Sequence, residues 1–256
     1  MTTIQRFAID TAHKAGALLM NGLKEHRHVQ LKGPFDLVTN IDHASEQLIV
    51  QAIEQQFPDH AIVAEEGHHT DGDSEYMWLI DPVDGTTNYA HGFPHFCVSL
   101  ALLADRVPIL GVIFDPWHNE LFVAERGHGA RCNDQQIHVS SAPTLANALV
   151  STGFPYDYAT NPHNNWHEFD RVRRCVQGVR RAGSGALDLA YVAMGRLEGH
   201  WERGLQPWDS AAGALLVHEA GGTLSDYRGD TWNPWSNCVV ASNGLIHDEL
   251  LSALVP

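Results

Sequence analysis

Trp78-Leu79-Ile80-Asp81-Pro82-Val83-Asp84-Gly85-Thr86-Thr87-Asn88 is the stretch on which the reading of this chain turns. The apolar run Met77 to Ile80 predicts a short buried strand, which Pro82 stops at once. Asp81 and Asp84 then fall in a tight turn, Gly85 supplies backbone freedom, and Thr86 and Thr87 begin a short helix. A corner of this kind sets paired carboxylates beside free backbone N–H groups. The acids suit a hard divalent cation, and the N–H groups suit an anion such as phosphate. An ordinary N-capped turn would carry the same residues, so the weight comes from a second acidic corner, Pro207-Trp208-Asp209, far along the chain.

Composition narrows the class. Of 256 residues 44% are hydrophobic, which fits a globular protein able to bury a full core. The longest apolar runs, such as Val98 to Ala104, are far too short to span a membrane. Met1 to Arg6 lacks a basic segment leading into an apolar one, so no secretory signal is expected and the cytoplasm is the expected compartment. Cys97, Cys132, Cys175 and Cys238 are widely spaced and read as reduced, buried thiols, with no zinc site. His68-His69 sit in a polar stretch without ligand spacing and read as a solvated loop. The 31 acidic against 16 basic side chains give a net charge of −15, which argues against a nucleic-acid substrate. An acidic protein that handles phosphate esters faces repulsion, and bound cations are the simplest remedy.

The periodicity alternates throughout. Apolar positions at helical spacing predict a helix over 4–23 and a second from Asp42 to Pro58. Gly33-Pro34 marks a loop and Phe35 to Thr39 an extended piece. Ala61 to Ala64 reads as a strand running into Glu65-Glu66-Gly67, and 68–76 as a surface loop. Phe96 to Leu103, Ile109 to Phe114 and Glu120 to Ala124 predict an antiparallel meander. Beyond it come strands near 148–151, 178–182, 197–202, 223–226 and 238–241. Helices are expected near 163–176, 186–194, 207–220 and 244–254.

Four acids therefore follow short apolar runs or tight turns: Glu65, Asp81, Asp84 and Asp209. Gathered in one pocket they would repel strongly, so a shared site implies more than one cation. Two ions about 4 Å apart could clamp the attacking and leaving oxygens of an in-line displacement.

Asp81-Pro82-Val83-Asp84-Gly85-Thr86-Thr87-Asn88 and the pair Trp208 to Gly213 and Glu219 to Gly222 resemble the two signature segments of the inositol monophosphatase family. Lys32 to Asp42, Ala64 to Gly67 and Arg180 to Tyr191 fall in the family's order, the last being most similar to its SuhB-type bacterial branch. The resemblance spans nearly the whole chain. It implies an α+β fold, a layered αβαβα sandwich, formed as one unit of residues 1–256 with halves of about 1–145 and 146–256. It also implies Mg²⁺-dependent, lithium-sensitive hydrolysis of inositol 1-phosphate or a related small phosphorylated polyol. Glu65, Asp81 and the Val83 carbonyl would hold one Mg²⁺, and Asp81, Asp84 and Asp209 a second, with a third weak ion near Glu65. Thr86 and Asp42 would orient the attacking water, with Glu65 and Asp84 completing the catalytic group. Gly85 and Thr86 N–H groups would receive the phosphate. Asp84, Ser184, Gly185 and Glu202 would take the polyol, and Lys32 and Asp36 match a loop closing over the metals. Glu66 is left outside the ligand set because adjacent side chains point apart.

Two positions depart from the family pattern. Gly185 stands where Ala is usual, which would loosen the contact there. Arg203 stands where an apolar residue is usual, and could pair with Glu202 or bind a second phosphate, as in fructose 1,6-bisphosphate. The family further implies a homodimer, and its SuhB branch a contact with transcription-elongation machinery in place of, or beside, catalysis.

Overall fold

A computed structural model describes residues 2–24, 29–33 and 36–255. Among these residues the strands form three sheets. A ribbon pairs β1 (Val29–Gly33) with β2 (Asp36–Thr39). The large sheet contains β3 (Ala61–Ala64), β4 (His69–Thr70), β5 (Tyr76–Asp84), β6 (Cys97–Ala104), β7 (Val107–Asp115), β8 (Glu120–Glu125), β9 (Ala130–Cys132) and β10 (Gln135–Ile137). Its order is β10-β9-β8-β7-β6-β5-β3-β4, antiparallel except where β3 meets β5. The smaller sheet contains β11 (Leu149–Thr152), β12 (Gly178–Arg180), β13 (Gly199–Arg203), β14 (Thr223–Ser225) and β15 (Cys238–Ser242), in the order β12-β11-β13-β15-β14.

The helices fill the layers between and outside. They are α1 (Thr3–Gly22), α2 (Asn40–Gln56), α3 (Thr86–His91), α4 (Trp166–Val172), α5 (Gly185–Ala193), α6 (Pro207–Glu219) and α7 (His247–Leu254). Strand alternation decides which face each helix covers. On β6, Val98, Leu100 and Leu102 join the core under α1 and α2, whereas Cys97, Ala101 and Leu103 join the core under α5 and α6. Val239 and Ala241 of β15 reach that same core from the other side, so α5 and α6 lie between the sheets. Trp201 and Val240 face outward onto α4 and α7. The layers run αβαβα, as expected. Small residues let the central layer close: a Cβ on Gly213 would lie 2.5 Å from Leu189 of α5, and one on Gly111 2.8 Å from the Ala212 carbonyl.

Three expectations need correction. Pro82 does not stop its strand, because β5 continues to Asp84 through a bulge in which Asp81 opposes Ser99 and Asp84 opposes Cys97. A proline can sit there, since a bulge has no ladder bond for it to break. Within the expected surface loop, His69–Thr70 pairs antiparallel with β3. Of the four cysteines, all free, Cys175 is exposed. Pro34 and Phe35 lie outside the described residues. Lys32 and Asp36 fall in β1 and β2, but their side chains lie outside as well.

Candidate active site

The β5 bulge builds the centre of the site. Two side chains three residues apart on a regular strand face opposite ways, but the extra residue puts Asp81 and Asp84 on the same face. They share it with Cys97 and Ser99, towards α5 and α6. Asp81 is buried, and its carboxylate accepts the Val83 N–H at 3.0 Å. Asp84 accepts the Ala186 N–H at 2.8 Å and the Ser184 hydroxyl, from the first turn of α5.

Asp209 arrives from the second corner. Pro207 opens α6, and Asp209, at its third position, accepts the Gln206 N–H at 2.7 Å in a capping box. Glu65 leaves the end of β3, its own N–H bonded to the Ile80 carbonyl at 3.1 Å. All four acids line one cavity of about 370 Å³, with Val83, Gly85, Thr86, Ser184, Gly185, Glu202 and Arg203.

Crowding in a buried space has an electrostatic consequence. Burial, then the charges of Glu65, Asp84 and Asp209, push the Asp81 carboxyl well above the usual carboxylate range. Asp209 is pushed up in the same direction, by burial foremost, although the Gln206 N–H pulls the other way. Asp84 is raised to about 6 by burial, with the Ser184 and Ala186 bonds holding it back. Oxygen donors alone, with repulsion waiting to be neutralised, fit a hard cation such as Mg²⁺. Among the described residues no group of three or more His, Cys, Asp or Glu side chains is arranged to hold a metal ion. A hard cation held here would draw on main-chain oxygen and water besides these carboxylates.

Asp42 lies behind the cavity wall. It is the third residue of α2 and closes a capping box with Thr39, accepting that residue's N–H at 3.0 Å and also its hydroxyl. Its other oxygen stands 2.9 Å from the Thr86 hydroxyl, which is also 2.9 Å from the Val83 carbonyl. Burial raises the Asp42 carboxyl, and the hydroxyls of Thr39 and Thr86 partly offset this.

Gly85 has φ +91°, and a Cβ on it would lie 2.9 Å from the His95 carbonyl, so backbone freedom is required there. Asn88, one turn into α3, ties the corner to the second half of the chain. Its amide donates to the carbonyls of His95 at 2.7 Å and Ala182 at 2.8 Å.

The structure treats the two departures differently. Gly185 gives space to Glu202: a Cβ there would be 3.2 Å from Glu202 Oε2, so an alanine would press on that carboxylate. Gly153 yields even more, since its Cβ would fall 1.7 Å from Glu202 Oε1. Arg203 lines the cavity rim, but its guanidinium does not take Glu202. Alternation along β13 sends it to the opposite face, where it lies 3.6 Å from the centre of the Tyr227 ring and 3.9 Å from Glu168.

The sequence reading gave no role of their own to Asn88, Gly153, Asp188 and His200. For His200 the signal was available, because it stands two residues before Glu202 and so shares its face of β13. Nothing local marks Asp188, whose position follows from how α5 packs.

The chain matches the family model described as "Inositol monophosphatase family" over residues 1–256. It is 43% identical to an inositol-1-monophosphatase of Synechocystis over 99% of this chain and 89% of that one. It is 40% identical to a Nus factor SuhB of Pasteurella multocida over 100% and 97%. A solved inositol monophosphatase from Anabaena (Nostoc) superposes with TM-score 0.90 at 44% identity, covering 99% of this chain and 96% of that chain.

Proposed function

The chain belongs to the inositol monophosphatase family, and from that premise we propose that it hydrolyses the phosphate monoester of a small polyol, inositol 1-phosphate foremost, with Mg²⁺. The observation that carries this reading is the meeting of Asp81, Asp84, Asp209 and Glu65, from both halves of the chain, in one cavity.

Glu65, Asp81, Asp84, Asp209 and the Val83 carbonyl would hold two Mg²⁺ ions, and Glu65 would reach a weak third through waters. When bound, Mg²⁺ supplies charge neutralisation and makes water a stronger acid. The chain's own part begins at Thr86. Its hydroxyl carries one proton, and a carboxylate is a stronger acceptor than a carbonyl. Donation to Asp42 leaves the Thr86 lone pairs to accept a hydrogen bond from a water, and as that water's proton moves to Thr86 the Thr86 proton passes to Asp42. N–H groups of the first α3 turn, at Gly85 and Thr86, have no partner within the helix and receive phosphate oxygens. Asp84, fixed by Ser184 and Ala186, and Glu202, seated against Gly153 and Gly185, take polyol hydroxyls.

The test is phosphate release from inositol 1-phosphate, fructose 1,6-bisphosphate, histidinol phosphate and 3′-phosphoadenosine 5′-phosphate, with and without Mg²⁺. Fastest Mg²⁺-dependent release from inositol 1-phosphate is expected. Release from none of them, or undiminished turnover by Asp81→Asn, overturns the reading. With its guanidinium held by Tyr227 and Glu168, Arg203 gives fructose 1,6-bisphosphate less support than the sequence suggested.

A second reading rests on relatives named Nus factor SuhB at 40% identity. A transcription-associated binding role would leave partner capture intact in Asp209→Asn. A pull-down with RNA polymerase components distinguishes the two.

A further inference from the structure

The polyol end of the cavity contains an ionisable trio, His200 and Asp188 buried and Glu202 partly exposed. His200 is fully buried on β13, with Glu202 two residues on and Asp188 facing it from α5. Its Nδ1 stands 2.9 Å from the Ser151 hydroxyl of β11 and 3.7 Å from Asp188 Oδ2. Its Nε2 makes no aligned hydrogen bond, yet stands 3.3 Å from Glu202 Oε2. The Glu202 carboxylate has little freedom on its other side, because it fills the space left by Gly153 and Gly185.

We propose that His200 is a positioning residue that holds the Glu202 carboxylate at the angle needed to recognise polyol hydroxyls, and so sets the selectivity of the site. The proposal rests on the reading of Glu202 as a polyol contact. Its physical basis is the placement of a buried imidazole between two carboxylates, Nδ1 towards Asp188 and Nε2 towards Glu202. A carboxylate held by an imidazolium loses less freedom when substrate arrives.

The charges around the ring favour that form. Burial opposes protonation of His200, but Glu202, Asp188 and the more distant Asp84 outweigh it and raise the imidazole. Asp188 is itself raised to about 8 by burial, with the His200 charge pulling the other way. The remaining titratable neighbour is His95, whose Nε2 is 4.0 Å from Asp188. Burial holds His95 below its ordinary value.

The experiment compares kcat/KM for inositol 1-phosphate with that for p-nitrophenyl phosphate, which has no hydroxyls for Glu202 to hold. In His200→Gln the ratio is expected to fall about tenfold, the scale of one close, largely desolvated charge pair. The fall is expected mainly in KM, and an ionisation above the ordinary histidine value is expected to leave the pH profile. Glu202→Gln should show the same fall, and the double variant no more than either. A ratio unchanged in His200→Gln but lowered in Glu202→Gln overturns the proposal and leaves the function intact. A ratio unchanged in both removes Glu202 from the polyol site. Should His200→Gln fail to fold, nitrogen NMR of the wild-type imidazole decides. Two protonated ring nitrogens at pH 7, titrating at lower pH in Glu202→Gln, support the proposal, and a neutral ring overturns it.

Discussion

At one end of the cavity Asp81, Asp84 and Asp209 crowd together, and none of the groups that chiefly shift Asp81 or Asp209 is basic. At the other end Asp188 and Glu202 flank His200, so the chain brings its own counter-charge. The same problem, carboxylates taken out of water, is met in two ways. A built-in imidazole fixes a carboxylate permanently, as selectivity requires. Leaving the charge unmatched makes the other end a receptor for something mobile and positive. Buried acid alone does not distinguish binding from structure; what surrounds the acid does.

The largest effect should come from removing a carboxylate at the unmatched end. Asp81→Asn or Asp209→Asn is expected to lower kcat by about 10³-fold or more. Thermal melts should also show that Mg²⁺ raises the Tm of the wild type and does so much less in either variant. An equal Mg²⁺ shift in all three would erase the contrast between the ends. Next, Gly85→Ala forces a side chain into left-handed backbone against the His95 carbonyl. It should cost about 1–2 kcal/mol of stability by denaturant melt and about 10²-fold in kcat through misplaced N–H groups. At the matched end, Gly153→Ala should displace Glu202 and raise KM for inositol 1-phosphate by about tenfold, with kcat less affected.

The smallest effect tests the imidazole itself. His247 is another buried histidine, but hydroxyls flank it: Ser225 lies 2.9 Å from Nε2 and Ser242 2.9 Å from Nδ1. Ser225 gives its proton to the Asp226 carbonyl, so Nε2 donates to Ser225 and Nδ1 accepts from Ser242. Burial lowers its pKa, the reverse of His200. The unfolded chain, at about 6.5 for histidine, then binds the proton first as pH falls. The stability contributed by His247 is complete above that pH and is lost as pH drops towards the folded value. His247→Gln should flatten the acid limb of the Tm profile by about 2 °C.

Much of this was legible in the chain itself. The run Phe96 to Leu103 announces a strand of the meander, and Pro207 before Asp209 announces a capped helix. Each is a local rule. The strand through Pro82 was not legible, because its tolerance depends on the β6 partner and the bulge. Nor were β9 and β10, whose three-residue lengths give no period to count. The pairing of Arg203 with Glu202 was misjudged for want of parity: next to Glu202 in sequence, it faces the other side of the sheet. Asp188 depends wholly on the packing of α5.

The bulge in β5 makes the site a matter of odd and even. Deleting Val83, or inserting one residue beside it, would leave the chemistry of the segment almost unchanged. It would nevertheless turn Asp84 away from Ser184 and into the oily layer beneath α1 and α2. No substitution elsewhere could bring it back. Across descendants of this chain the count of residues between the two aspartates should therefore drift more slowly than the identities of those residues.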